Sequence, residues 1–181
     1  MAHEIERVSK LDVAYRQLDQ AIQLFFERRD PVAVHSLAAA AHQVLTDLGD
    51  KKGVTNFIKR NPHIREEMRR EWIRRINEPY NFIKHADRDP DEVFEFRPAV
   101  TSIFILDALQ LYQQLTGKLP HKLNIFLMWF NVAYPDAVSG PLKEMAEKAR
   151  QAGLDPNNFE ILLELIMRVP PNTSLERTRE R

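Results

Sequence analysis

An all-α helical bundle that opens with a long antiparallel helical hairpin is the fold this sequence predicts, and three observations carry it. Apolar residues recur at spacings of three and four through the long segments, the period of one face of a helix. Residues that start and stop helices punctuate those segments, among them Asp30-Pro31, Gly49, Gly117, Pro120 and Gly153. No run alternates apolar and polar residues as a half-buried strand would.

In chain order, residues 4 to 28 read as the first helix, with Val8, Leu11, Tyr15, Leu18, Ile22 and Phe25 as its seam. Asp30 is placed to cap the second helix, which Pro31 opens and Gly49 closes. Its run Leu37-Ala-Ala-Ala-Ala41 has little side-chain bulk, so a partner helix can approach closely. His35 and His42 lie seven apart on one face of it, roughly 10 Å by helical rise. That is too far for one metal ion, and they read as satisfied core or interface histidines. Val54 to Lys59 reads as a short helix, and Asn61-Pro62 as the start of a third long one over 62–77. Ile64, Met68, Trp72, Ile73 and Ile76 make its buried stripe; Arg65 and Arg69 fall near that stripe, while Arg70 and Arg74 point away. Pro79 then either kinks this helix or opens a new short one carrying Asn81 to Ala86. Arg97-Pro98 starts a central helix to about Leu115, and Pro120 a dense apolar one over 121–134, suited to a core or an oligomer contact. Pro141 to Gln151 is a polar helix, and Asp155 to Asn158 cap a last one with Phe159, Ile161, Leu162, Leu165 and Ile166. Residues 1–169 read as one domain and 170–181 as a flexible charged tail.

Composition narrows the function classes. The chain has 181 residues, enough to bury a core without staples, and no cysteine, which removes disulfides and thiol nucleophiles. No apolar run approaches the roughly 18 residues of a spanning helix, and the N-terminus has no apolar core of a signal peptide, so a soluble cytoplasmic protein without a membrane partner is expected. Lys plus Arg equal Asp plus Glu at 26 each, yet from Lys51 to Arg88 eleven positive side chains face five negative ones. A basic middle can meet phosphates or form a salt-laced helical surface.

The stretch Asn81-Phe-Ile-Lys-His-Ala-Asp-Arg-Asp-Pro-Asp91 concentrates an amide, an ammonium and an imidazole on one helical turn. Asn81 and His85 are four apart and share a face, with Lys84 beside them. The pattern Asn-x-x-x-His, in an all-α chain that opens with a helical hairpin, resembles the HEPN superfamily of helical-bundle proteins over residues 4 to 117. That family's motif is an Arg, often followed by a polar residue, then a His four to six residues after the Arg. Asn81 matches the polar position and His85 the His, while Tyr80 stands where the Arg is expected.

The resemblance implies RNA binding, metal-independent RNA cleavage and homodimerisation, with no cofactor. Under it, His85 would act as the base, Asn81 would orient it, and Lys84, Arg69 or Arg75 would stabilise the phosphorane. Arg65 joins Arg69 and Arg75 as a candidate RNA contact. The competing expectation is a non-catalytic homodimeric interaction protein or scaffold, with the apolar helix 121–134 as its contact surface and Asn81 and His85 as structural hydrogen-bonding groups. The sequence leaves open whether the chain is an enzyme. No metal site is expected. Asp87-x-Asp89-x-Asp91 lacks the glycine of a calcium loop, and His63 with Glu66 lacks the facing glutamates of a di-iron bundle.

Overall fold

A computed structural model of the chain describes residues 5–58, 65–85, 87–137 and 140–168. Every regular element among them is helical: α1 (Lys10–Phe26), α2 (Pro31–Asp50), α3 (Arg69–Lys84), α4 (Val100–Thr116), α5 (His121–Ala133), α6 (Pro141–Gln151) and α7 (Phe159–Met167), with 3₁₀ turns at Glu66–Met68 and Pro135–Ala137. The all-α expectation is met.

Local chemistry sets the ends of the hairpin. Ser9 and Asp12 form a reciprocal capping box, so α1 begins at Lys10 and not at residue 4. It stops at Phe26 because Arg28 is left-handed (φ 53°), with Arg28 N–H donating to Phe25 O and Arg29 N–H to Leu24 O. Asp30 caps α2 through Ala33 N–H at 2.9 Å, with Pro31 in the first turn. Gly49 does not end α2. It lies buried in the last turn, where a Cβ would stand 3.3 Å from Val54 O, so close approach of the following segment is what requires glycine there.

The core lies where α1, α2 and α4 meet. Leu18, Ala21 and Ile22 of α1, Ala38, Ala39 and Ala41 of α2, and Ile105, Ala108 and Leu109 of α4 are all buried. The small α2 residues let both neighbours come close, as the alanine run predicts. α5 packs on α1 and α4, and α7 on α1 and α5. Phe25, Phe26, Phe126, Trp129 and Phe159 interlock where these helices join, with Phe25 and Trp129 ring centroids 4.8 Å apart. Leu123, Ile125, Phe126, Trp129, Phe130 and Val132 are therefore inside the bundle, and the apolar face of residues 121–134 is core, not a free contact surface.

Polar groups are buried as well. His35 and His42 are core histidines, as their shared face suggests. His35 Nδ1 lies 3.2 Å from Thr101 Oγ1, with its ring between Phe96 and Phe104. His42 Nε2–H donates to Asp107 Oδ2 at 2.8 Å. The same carboxylate accepts the amide N–H groups of Phe57 and Ile58 at 3.0 and 3.2 Å. These two amides bond a side chain of α4, and Val54–Ile58 forms no helix; Lys59, the last residue of the expected short helix, lies outside the described residues.

The third long helix starts later than position 62, since a 3₁₀ turn over Glu66–Met68 precedes it and it begins at Arg69. Of the two alternatives at Pro79, the helix runs on through the proline to Lys84, with no break at Asn77-Glu78. Met68, placed in the buried stripe by periodicity, sits in that turn and is exposed. Asn61-Pro62, His63, Ile64 and the tail 170–181 lie outside the described residues.

Candidate functional site

α3 carries two stripes, and their separation explains the site. Trp72, Ile76, Pro79 and Tyr80 pack against the core; only Ile76 and Pro79 are fully buried. Arg74, Glu78, Asn81, Phe82 and His85 follow at helical spacing on the outer side and line one wall of an open groove. The segment after α3 supplies the other wall through Arg88, Asp89, Glu92 and Phe94. Phe94 is held by stacking on Phe82, centroids 5.3 Å apart at 27°, and Phe96 by the ring of His35 at 5.2 Å. Two aromatic anchors two residues apart thus fold the segment back along the helix.

The groove encloses about 170 Å³. That is below the ~300 Å³ at which pockets for whole small molecules begin, so it suits part of a larger ligand. His85 ends α3, its N–H donating to Asn81 O at 3.0 Å. Its side chain remains about 32% exposed, and Nδ1 stands 3.9 Å from Asp87 Oδ1, beyond hydrogen-bond reach. The imidazole is open to a ligand, not buried against backbone carbonyls. Arg74 donates from Nε and Nη2 to Glu71 at 2.9 and 2.8 Å and from Nη1 to Glu78 at 3.3 Å. Hydrogen bonds from Arg74 and Arg75 push the Glu71 carboxyl down to about 2. Across the groove, a hydrogen bond with Asp89 pushes the Glu92 carboxyl up.

Of the residues singled out by sequence, Asn81 and His85 come together in the groove, and the others do not line it. Lys84, one position off the stripe, places Nζ 4.5 Å over the Tyr80 ring. Arg65 pairs with Glu67 at 3.3 Å, Arg69 with Glu66 at 2.6 Å and Arg75 with Glu71 at 2.6 Å. Tyr80, in the position of the expected arginine, faces the core, and burial pushes its phenol up. The guanidiniums at the site are those of Arg74 and Arg88. Arg74 was legible, because 74, 78, 81 and 85 are one stripe at spacings of four, three and four. Phe82, four residues after Glu78, belongs to the same helical face, while Arg88 and Phe94 depend on the return of the loop, which no local pattern encodes.

Chemically, the groove offers an accessible imidazole, a carboxamide that can orient a ligand, two guanidiniums for an anionic oxygen and three carboxylates. Among the described residues, no group of three or more metal-ligating side chains converges. None of the described helices is long and apolar enough to cross a membrane. No model of a known protein family matches the chain, and no curated protein or solved structure matches it either.

Proposed function

We propose that the chain binds RNA in the groove at the C-terminal end of α3 and cleaves it without a metal ion, as a HEPN-like homodimer. The observation that carries this reading is the meeting of an accessible His85 with Asn81, Arg74 and Arg88 in one open groove. The neutral imidazole takes the proton of a ribose 2′-hydroxyl. The 2′-oxygen then bonds to phosphorus, and the bond from phosphorus to the 5′-oxygen breaks. That leaving oxygen takes a proton from water, giving a 2′,3′-cyclic phosphate and a 5′-hydroxyl. Arg88 and Arg74 supply charge to the phosphorane oxygens, the task a lone lysine performs less well because it lacks the guanidinium fork. Two-fold symmetry would set two such grooves in one assembly.

A second reading has an observation of its own. Glu78, Asp89 and Glu92 also line the groove, and Arg74 is already engaged by Glu71 and Glu78. Three carboxylates against two guanidiniums favour a polar peptide over a polyanion. On this reading the protein is a non-catalytic scaffold.

Incubation of a mixed RNA pool in EDTA with wild type and His85→Ala separates the two. Losing a general base lowers cleavage by about 10²–10⁴-fold. Stability should change by less than ~0.5 kcal/mol, since the side chain is partly exposed and its approach to Asp87 is beyond hydrogen-bond reach. Absence of both cleavage and RNA retention by the wild type overturns the proposal in favour of the scaffold reading.

A further inference from the structure

We infer that Asp107, far from the groove in sequence, is its positioning residue: it fixes segment 54–58, which in turn holds α3 in place. The inference rests on the reading of the groove as the site. α3 is a peripheral arm, since among the described residues α2 is the only long helix it approaches. Two of its side chains, Ile76 and Pro79, are fully buried. The indole of Trp72 adds a directional tie, its Nε1–H donating to Ile58 O at 2.6 Å.

Ile58 is therefore the residue that anchors Trp72, and its own placement comes from α4. The Ile58 amide reaches Asp107 Oδ2 at 3.2 Å, and the Phe57 amide reaches Oδ1 at 3.0 Å. Asn56 completes the hold, its side-chain amide bonding Thr46 Oγ1 at 2.7 Å and lying 3.0 Å from His42 Nε2. The side chains of His42, Thr46, Asn56, Ile58 and Asp107 are all buried. A carboxylate 3% exposed inside an apolar bundle is tolerated only because its donors satisfy it. An apolar residue at 107 would pack α4 without that requirement, but it would give segment 54–58 no fixed place. Hydrogen bonds are directional, so a satisfied network specifies one position for the chain it holds, where apolar packing tolerates several.

The sequence of contacts runs from Asp107 to Ile58, from Ile58 to Trp72, and along α3 to Arg74, Asn81 and His85. Asp107→Asn keeps the shape but turns an acceptor into a donor facing N–H groups. Trp72→Phe keeps a ring and removes only the donor to Ile58 O. Amide hydrogen exchange of the full chain reads both, and it needs no ligand, so it stands apart from the outcome with RNA. Exchange across 69–84 is expected to accelerate about tenfold or more in Asp107→Asn and by a smaller factor in Trp72→Phe, while α1 keeps its protection. The His85 imidazole resonances are expected to move in both variants. An equal rise in α1 and α3 would make the network an ordinary core contact and overturn the inference, as would unchanged exchange in α3. If Asp107→Asn fails to fold, the same two outcomes in Trp72→Phe decide.

Discussion

Lowering the pH from 7 to 4 puts a proton on the unfolded His35 well before the folded side chain will take one. Burial pulls the folded imidazole from 6.5 down to about 4. The ring is fully buried between Phe96 and Phe104, and Nε2 has no hydrogen-bond partner among the described residues. The tautomer with Nδ1–H donating to Thr101 Oγ1 leaves a bare acceptor unsatisfied, which costs less than an orphaned N–H. At neutral pH neither state is charged and the group is silent. Between about 6.5 and 4 the unfolded chain binds a proton that the folded chain refuses, so stability falls with pH, at most by 1.36 kcal/mol per unit. Over the whole window the loss approaches about 3 kcal/mol, a large share of the ~5–15 kcal/mol that holds a domain together.

His35→Phe keeps a planar ring against Phe96 and Phe104 and removes the titration. Urea unfolding of both proteins at pH 7, 6, 5 and 4 isolates the effect, because the carboxylates titrate alike in each and cancel in the difference. The variant is expected to gain about 3 kcal/mol on the wild type between pH 7 and 4. Parallel stability curves would show that His35 accepts its proton in the folded state, and the argument from burial would fail.

Two further outcomes test the scaffold. Leu18, fully buried in the hairpin, should cost about 2–5 kcal/mol when cut to alanine, seen as a lower urea midpoint at unchanged slope. Arg28 is left-handed, yet its guanidinium sits 4.7 Å over the Phe159 ring. Arg28→Gly relieves the backbone as it loses the ring contact, so it should stay near wild type, while Arg28→Ala loses the contact with no relief and should be less stable than the glycine variant by about 1 kcal/mol.

Much of the fold was legible because its signals are local. Asp30-Pro31, Gly117 and Asn158 act within a few residues of themselves, and α6 runs from Pro141 to Gln151 as periodicity and its flanking residues indicate. The errors arise where distant groups decide. Val54–Ile58 is not helical, and its Phe57 and Ile58 amides are taken by Asp107, a carboxylate 50 and 49 residues further along the chain. Gly49 looked like a terminator and instead makes room for Val54. At the site, Asn81 and His85 share the face that their spacing requires. Arg65 and Arg69 fall near the buried stripe and Arg75 is the arginine nearest upstream of the motif, whereas the groove opens on the outer side of the helix, where Arg74 lies.

The lining residues of the groove all fall between Arg74 and Phe94, in one continuous stretch of chain. A surface assembled from neighbours in sequence on an outlying arm is modular in the evolutionary sense. Substitutions at 74, 78, 81, 88 or 92 alter the lining of the groove without repacking α1, α2 or α4. The returning loop can also lengthen at little cost, since doubling a flexible loop adds only about 0.6 kcal/mol of closure entropy. A lineage could therefore exchange one ligand for another here while keeping the same bundle beneath it.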